Sequence, residues 1–503
     1  MQSIDFFTAA ERYFTQIVDD LQSIITTENH LDLLEHNLLE ASRELARLLL
    51  QGHIDSRGSG DIGPFVISAE QVKLNQKRNI QRSLYTVFGK IRLNRTGYFR
   101  PGYHYLFPLD ASLNLPQGLF SYGLQKMLAQ EIIKSSFDES RLTIEQKTGV
   151  RIGKRQALTL VEQCASDFDT FYQQSFLNTQ PDEVASLPIM VLTTDGKGIV
   201  MRPDSLREGT RKRQLNTTHK LKHRLSKGEK RNRQRMAQVA SIYFIERFVR
   251  KPREIISGLF RGQVKLKQKR PRPVGKRIWA SVEKDSTHVL SELFEEASRR
   301  DPTHKKEWVV LVDGQKYQLN EIEKRAKKQN LEIIIILDII HVIEYLWDAA
   351  HLFFDESSQS GEDWVSKKLL EVLNSKGQKV AGSIRMSAAK RNLSEKQKKT
   401  AETCASYLTN KKLYLDYRTY LSKGYPIGTG VIEGTCRYLI KDRMDITGAR
   451  WSLDGAEAIL KLRSIAKSND FEEYWNFHLT QEFERNYASK YQDINQVGSA
   501  LSS

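Results

Sequence analysis

The chain has 503 residues, and its 78 Lys and Arg against 61 Asp and Glu give a formal net charge of +17. This length allows several domains, and 39% hydrophobic residues with only 12 prolines exclude a disordered or collagen-like chain. The longest aliphatic run is far too short to span a bilayer, and three cysteines without a close pair exclude a disulfide framework and a Cys-based zinc site.

The first residues do not resemble a secretory signal, so a cytoplasmic protein without a membrane partner is expected. Residues 1–52 carry apolar side chains at helical spacing and predict N-terminal helices. A Gly/Ser/Asp-rich break follows at 55–63. Residues Arg82 to Tyr98 then alternate between apolar and polar around Gly89 and Lys90, which predicts a β-hairpin.

A helix-turn-helix is predicted next, within a DNA-binding region at 82–180. Residues 136–158 indicate a short helix, a turn at Gly149, and a second helix that begins with Lys154 and Arg155. In a helix-turn-helix the start of the second helix faces the major groove. Lys154 and Arg155 are therefore expected to contact DNA, with ordinary helical packing as the alternative.

Alternating strands and helices after residue 182 predict an α/β domain whose sheet is covered on both faces. The first part of this core is expected at 185–340. Four strands are predicted, at Ile189–Thr194, Val239–Val249, Trp308–Val312 and Ile333–Leu337.

The positive charge is concentrated in this domain. Residues 201–280 contain 25 Lys and Arg against five acids, a local net charge of +20 that leaves −3 for the rest of the chain. The blocks Arg211–Arg235 and Lys265–Arg277 flank an apolar segment, which favours a polyphosphate groove over two solvated loops. The cations expected to bind nucleic acid here are Arg211, Lys212, Arg213, Lys265, Lys267, Lys269 and Arg270.

Two predicted strands end in Asp-Gly, at Asp195 and Asp313. α/β proteins build sites at such sheet edges, and converging carboxylates suit Mg²⁺, although a single Asp-Gly is also typical of a turn. Glu433 begins a helix after a glycine-rich segment, with Arg437 and Lys441 following at intervals of four residues. This spacing fits either a solvated ion-pair ladder or a carboxylate and two DNA-binding cations in a site. Residues 341–424 are predicted to be helical, 425–470 to carry the glutamate and end the core, and 471–503 to form a polar tail.

The chain resembles bacterial insertion-sequence transposases of the Kra type, relatives of the eukaryotic Mutator group. The resemblance spans roughly Arg82 to Lys467. It is carried by TTDGKG at Asp195, VLVDGQ at Asp313, ILDIIHVIEYLW from Ile336 to Trp347, and PIGTGVIEGTCRYLIKDRMDITGARW from Pro426 to Trp451.

The resemblance implies a ribonuclease-H-like core with an all-helical insertion and a catalytic triad of Asp195, Asp313 and Glu433. These acids would bind two Mg²⁺ ions, with Mn²⁺ as an alternative. Asp338 also ends a strand and is the alternative second catalytic acid. In the Mutator-like pattern the second catalytic Asp follows the fourth strand of the core, and a separate Asp-x-x-His or Cys-x-x-His lies on the next strand. The motif Asp338-Ile-Ile-His341 matches the latter, so the resemblance favours Asp313 for catalysis and a supporting role for Asp338 and His341. Related sequences often carry a Cys-rich zinc segment after the hairpin, but this chain has no cysteine there.

The function implied is cleavage at transposon ends and joining of the 3′-OH to target DNA, with the terminal inverted repeats and target DNA as partners. A homodimer or larger assembly on DNA, at the bacterial nucleoid, is expected. Arg450 is a further candidate DNA contact, and Trp451 would either stack on an unpaired base or lie in the core. The alternatives are a nuclease without strand transfer and a transposase-derived DNA-binding regulator.

Overall fold

A computed structural model describes residues 5–23, 29–174, 186–216, 229, 232–260, 270–428 and 430–495, without the side chains of Glu433 and Thr447. The chain divides into two compact units. The first combines Met1–Tyr172 with Asp470–Ser503, and the second is Gln173–Asn469.

The first unit is mainly helical and contains a long β-hairpin. Its strands are β1 (Val66–Ile67), β2 (Lys73–Leu74), β3 (Gln76–Thr86) and β4 (Gly89–Phe99). Its helices are Thr8–Gln22, Leu31–Ser56, Pro108–Ser112, Tyr122–Ile132, Phe137–Thr148, Lys154–Cys164, Phe168–Gln174 and Phe471–Asn486, with a 3₁₀ turn at Ala488–Lys490.

The predicted hairpin is confirmed, since β3 and β4 pair antiparallel from Gln76 beside Phe99 to Thr86 beside Gly89. The alternation seen in the sequence places Leu84, Ile91 and Leu93 on one face, where they are buried. This face packs with Ile54 from the long N-terminal helix, so the hairpin and that helix share a core.

The predicted helix–turn–helix segment is also present. Ser136 caps the first helix by accepting a hydrogen bond from the Glu139 N–H, and Gly149 ends it in the left-handed conformation at φ 68°. The second helix begins at Lys154, where Lys154 and Arg155 are exposed. The local geometry therefore follows the cap and turn residues.

The prediction of a polar tail from residue 471 is wrong for its first half. Phe471–Asn486 forms a helix whose Tyr474, Trp475 and His478 are buried, and the Tyr474 hydroxyl donates to the carbonyl of Cys164 at 2.6 Å. Aromatic residues at positions 474, 475 and 478 give this helix an apolar face that polar neighbours mask in the sequence.

The second unit has the expected mixed α/β architecture around a five-stranded sheet. The strands are β5 (Ile189–Val200), β6 (Gln234–Ile245), β7 (Val274–Ser281), β8 (Glu307–Val312) and β9 (Ile333–Leu337). Their order is β7-β6-β5-β8-β9. β6 runs antiparallel to both β5 and β7, whereas β5, β8 and β9 run parallel to one another.

Strand β7 was missed in the prediction of four strands because its first half lies in the basic block that ends at Arg277. Arg277 does not face a polyanion. It is buried and pairs with the fully buried Glu296 at 2.5 Å, which also contacts Arg299 and Arg300. The basic block is therefore partly structural.

Helices cover the sheet and form the predicted helical stretch after β9. Before β9 they are Glu208–Leu215, Pro252–Leu259, Ser286–Arg300 and Lys316–Lys328. After it they are Ile339–Ala350, Gln359–Leu373, Gly377–Ala389, Glu395–Asn410, Tyr417–Ser422, Gly430–Thr435, Asp442–Met444 and Leu453–Ser468, with a π-helix at Cys436–Lys441. Short 3₁₀ turns lie at Pro203–Ser205, Lys412–Tyr414 and Ile446–Gly448. Across the described ranges, no helix is long and apolar enough to cross a membrane.

Candidate functional site

Three aspartates lie at neighbouring positions across the parallel strands. Asp313 and Asp338 directly follow β8 and β9, whereas Asp195 lies within β5, where it pairs beside Val239. The prediction that the first strand ends before Asp195 is therefore wrong, since this strand continues to Val200. Thr193 of β5 lies beside Leu311 of β8, and Val312 of β8 lies beside Leu337 of β9. Two residues beyond the first of these pairs, Asp195 lies level with Asp313. One residue beyond the second pair, Asp313 lies level with Asp338. Since neighbouring strands lie about 4.8 Å apart, the three residues form a row across these strands, which we call the aspartate row.

Asp195 is half-buried at one end of this row. Its Oδ1 accepts a hydrogen bond from the Gly196 N–H at 2.6 Å, and its Oδ2 accepts one from the Cys436 thiol at 3.2 Å. Both donors are neutral, and no described Lys or Arg forms an ion pair with this carboxylate. Its negative charge is available to a cation.

Asp313 occupies the middle of the row and is also half-buried. Gln315 donates to its carboxylate twice, from the backbone N–H at 3.1 Å and from the side-chain amide at 2.9 Å. The Tyr407 hydroxyl donates to the Asp313 carbonyl at 3.0 Å, and Tyr407 stacks on Tyr345. The helical stretch after β9 thus holds the backbone of this acid in place.

Asp338 differs from the other two because it is completely buried. It caps the helix Ile339–Ala350, with its Oδ1 accepting a hydrogen bond from the Ile340 N–H at 3.0 Å. An N-cap carboxylate stabilises the start of a helix. Asp313 is therefore the more accessible of the two carboxylates.

His341 lies one turn into that helix and is half-buried. Its Nδ1 contacts the Glu344 carboxylate at 2.9 Å. Burial lowers the pKa of His341, but the Glu344 hydrogen bond and the charges of Asp338, Glu344 and Asp313 outweigh it and raise the pKa above its ordinary value. The negative charges of Asp313 and Asp338 therefore favour the protonated imidazole.

The segment that carries Glu433 runs along this row. Near its start, the Ile427 carbonyl accepts a hydrogen bond from the Ile339 N–H at 2.9 Å, next to Asp338. At its other end, Cys436 reaches Asp195. The Glu433 backbone lies between these two contacts, in the helix Gly430–Thr435, while its side chain lies outside the described residues.

A π-helix follows directly at Cys436–Lys441. Its wider turn alters the four-residue alignment expected for Glu433, Arg437 and Lys441, and π-helical turns often occur at functional sites. Arg437 and Lys441 are exposed, and Arg437 contacts Asp442 at 3.8 Å. Both cations are therefore accessible to solvent or to a ligand.

The other predicted cations lie in several places. Lys154 pairs with Asp138 at 2.6 Å. Lys212 pairs with Glu208 at 2.6 Å on an exposed helix that also carries Arg211 and Arg213. Arg155, Arg270 and Arg450 are exposed. Lys265, Lys267 and Lys269 lie outside the described residues.

Trp451 is a core residue with 6% of its surface exposed. Its indole N–H donates to the Met444 carbonyl at 3.0 Å, and its backbone extends β5 by pairing beside Met201. The ring also lies against the Arg443 guanidinium. The buried alternative therefore holds, and stacking on a base is not available to this side chain.

A tighter group of potential metal ligands lies in the first unit. Among the described residues, Asp167, His478 and Glu482 bring one ligand atom each within 4.8 Å of one another, closer than the aspartate row does. Arg485 forms ion pairs with both acids, and the Tyr122 hydroxyl donates to Glu482 at 2.8 Å. Because its charge is already neutralised, this group is a buried structural network.

No protein-family model matches the chain, and no curated protein matches it. The geometry of the site is therefore the basis for inferring a function. Cys436 and Tyr407, which contact the two open aspartates, were missed by the sequence reasoning. Their partners are distant in the chain, and no local spacing marks them.

Proposed function

We propose that the protein is a DNA transposase that cleaves at transposon ends and joins the 3′-OH to target DNA, with Asp195, Asp313 and Glu433 as its catalytic residues. The observation that carries this proposal is the aspartate row together with the helix that links its two ends. Asp195 within β5 and Asp313 at the end of β8 are half-buried carboxylates on adjacent strands, and the backbone of Glu433 passes between Asp338 and Asp195.

We further propose that the five-stranded sheet is a ribonuclease-H-like core. Asp195 lies on the first strand of the sheet, Asp313 follows the fourth strand, and Glu433 lies on a helix after an all-helical segment. This order agrees with the pattern implied by the resemblance to Mutator-like transposases. Strand β7 supports the agreement, since it makes β8 the fourth strand of the sheet.

The donor set fits Mg²⁺. Carboxylate oxygens are the ligands that this ion prefers. In the described part of the chain, the carboxylates of Asp195 and Asp313 accept hydrogen bonds from neutral donors, namely Gly196, Cys436 and Gln315. Asp167 and Glu482, by contrast, are neutralised by Arg485. When bound, two divalent ions would neutralise charge on the attacking and leaving oxygens of a phosphodiester.

The protein's own contribution is positioning. Gly196 and Cys436 fix the Asp195 carboxylate, Gln315 fixes that of Asp313, and Tyr407 restrains the Asp313 backbone. Phosphoryl transfer depends mainly on such positioning and on electrostatic stabilisation. Exposed cations of the basic segment, such as Arg211 and Arg213, would hold the DNA phosphates.

The experiment compares single variants Asp195→Asn, Asp313→Asn and Glu433→Gln on labelled transposon ends in the presence of Mg²⁺. Each variant should lose cleavage and strand joining by at least about a hundredfold and keep its affinity for DNA. Asp338→Asn is the comparison variant. Full activity of Asp313→Asn with loss in Asp338→Asn would reassign the second catalytic acid.

The products separate the alternatives. Joined strands support a transposase, whereas cleavage without joining would indicate a nuclease with the same acids. DNA binding without any Mg²⁺-dependent cleavage would instead indicate a DNA-binding regulator and would overturn the proposed chemistry.

A further inference from the structure

Two adjoining cavities lie in the second unit, beside the Glu433 segment. One has a volume of about 480 Å³ and is lined by Arg247, Phe248, Arg270, Pro271 and Arg272. The other has a volume of about 360 Å³ and shares Phe248, Arg270 and Pro271 with the first. We call the joint cavity the arginine groove, defined by Arg247, Phe248, Arg250, Arg270 and Arg272 and by the apolar wall behind them.

The groove leads towards the candidate site. Its wall includes Ile339 and Ile340, the two residues that follow Asp338. It also includes Gly430 and Val431, the first turn of the helix that carries Glu433. A ligand lying in the groove would therefore extend to the edge of the aspartate row.

Positive charge exceeds negative charge around the groove. Four arginines line it against one acid, Glu246, and one of those arginines, Arg247, pairs with Glu307 at 2.6 Å. Arg270 and Arg272 have no ion-pair partner among the described residues. Arg250 donates to the carbonyls of Phe248 at 3.1 Å and Tyr425 at 2.5 Å, so carbonyls rather than carboxylates hold it. Burial, and then the charge of Arg270, lower the pKa of Arg250 to about 10, which leaves it protonated at neutral pH. A polyanion would be attracted here.

The interior of the groove is apolar and contains aromatic rings. The Phe248 ring is half-buried, and Leu259 and Pro273 line the wall beside it. Tyr243 also lines the cavity, with 1% of its surface exposed. Burial raises the pKa of the Tyr243 hydroxyl. An apolar slot with one buried hydroxyl suits a flat group that has π-faces and polar edges.

We propose that the arginine groove binds an unpaired segment of a DNA strand and guides it to the aspartate row, with Arg270 and Arg272 on its phosphates and a base stacked on Phe248. This inference rests on the proposed function for the identity of the substrate. Both parts of the ligand are needed: an acidic peptide would match the arginines but not the stacking surface, and every nucleobase offers a π-face.

The test measures binding of two fluorescent DNA duplexes with the same sequence, one blunt and one with an unpaired oligothymidylate tail. Phe248→Leu should weaken binding of the tailed duplex by about fivefold to a hundredfold, because base–aromatic stacking contributes on that scale, and should not affect the blunt duplex. Phe248→Tyr keeps the ring and should restore tailed binding. Removing the bases from the tail should abolish the difference between Phe248→Leu and wild type.

Arg270→Ala and Arg272→Ala should each reduce the salt dependence of tailed binding by about 0.7 in the log–log slope, as expected for one phosphate contact on a single strand. Arg418→Ala is the matched control, since Arg418 is an exposed arginine of the same unit outside the groove. Its slope should equal that of wild type.

Three results would overturn the groove assignment. They are equal effects of Phe248→Leu on blunt and tailed duplexes, no effect on either, and displacement of the tailed duplex by a polyglutamate peptide at the same charge concentration. Failure of the proposed catalysis gives a different result. If the protein cleaves no DNA but still prefers the tailed duplex in a Phe248-dependent way, the groove assignment stands and the transposase proposal is overturned.

Discussion

The Cys436 thiol donates a hydrogen bond to the Oδ2 of Asp195 at 3.2 Å, across 241 residues of sequence. This contact joins the π-helical segment after Glu433 to the first strand of the sheet. We predict that Cys436→Ala lowers DNA cleavage by roughly fivefold, because losing one hydrogen bond to the carboxylate costs about 1 kcal/mol of positioning energy.

Cys436→Ser is the control for that prediction, since a hydroxyl also donates a hydrogen bond and occupies a similar volume. Its cleavage rate should lie near that of wild type, with unchanged DNA affinity in both variants. Equal loss in the alanine and serine variants would show that packing rather than the hydrogen bond matters.

The second prediction concerns the buried charge cluster around Glu296. Its carboxylate is fully buried and paired with Arg277, Arg299 and Arg300. Glu296→Ala should lower the free energy of unfolding by about 3–5 kcal/mol, because removing one partner leaves buried guanidinium groups uncompensated. Urea denaturation measures this change.

Arg299→Ala is the matched comparison for the same cluster. The Arg299 side chain is 34% exposed, whereas that of Arg277 is 9% exposed. Removing Arg299 should cost less than about 1 kcal/mol. A similar loss for Glu296→Ala and Arg299→Ala would contradict the assignment of Glu296 and Arg277 as a buried structural pair.

The third prediction is a pH dependence of stability in the first unit. Burial raises the pKa of Asp167, but the His478 hydrogen bond and the charges of His478 and Arg485 outweigh it, so the net pKa lies below its ordinary value. A carboxyl with a lowered folded-state pKa stabilises the fold above its unfolded pKa of about 3.9. That stability is lost as the pH falls through the lower, folded value.

Acid titration of unfolding free energy checks this sign. Wild type should lose stability steeply below about pH 4, and Asp167→Asn should be less stable at pH 7 and show a shallower decline. An equally steep decline in Asp167→Asn would assign the acid sensitivity to other carboxylates.

Sequence patterns predicted the parts of this protein whose causes are local. The hairpin β3–β4, the helices around Gly149 and the strand Ile333–Leu337 follow from alternation, capping and apolar runs. That Asp195 and Asp313 lie on neighbouring parallel strands was also predictable from the apolar runs before them, although β5 continues past Asp195 to Val200.

The features that were missed depend on partners far away in the chain. After Val274, strand β7 is apolar only from Ile278 onward, and the buried Arg277 pairs with Glu296, on a helix that follows the strand. Likewise, Tyr407 reaches Asp313 across 94 residues. No spacing rule links such residues, so tertiary packing decides their roles.

The last prediction concerns Gly424, which sets the position of Phe248 in the arginine groove. Its φ is +78°, and an added Cβ would lie 2.7 Å from the Phe248 backbone nitrogen and 2.9 Å from the Arg247 Cβ. The Phe248 N–H also donates to the Gly424 carbonyl at 2.9 Å. Gly424→Ala should therefore destabilise the protein by about 1–3 kcal/mol, through backbone strain and displacement of Phe248.

Gly382 offers a control of opposite sign. It lies inside the helix Gly377–Ala389, and an added Cβ would meet no atom within 4 Å. Gly382→Ala should stabilise the protein by about 0.5–1 kcal/mol, because alanine loses less backbone entropy in a helix. Thermal unfolding of the two variants checks the pair. Stabilisation by Gly424→Ala would show that Phe248 can shift without cost, and so that the groove is not held in place by this close approach.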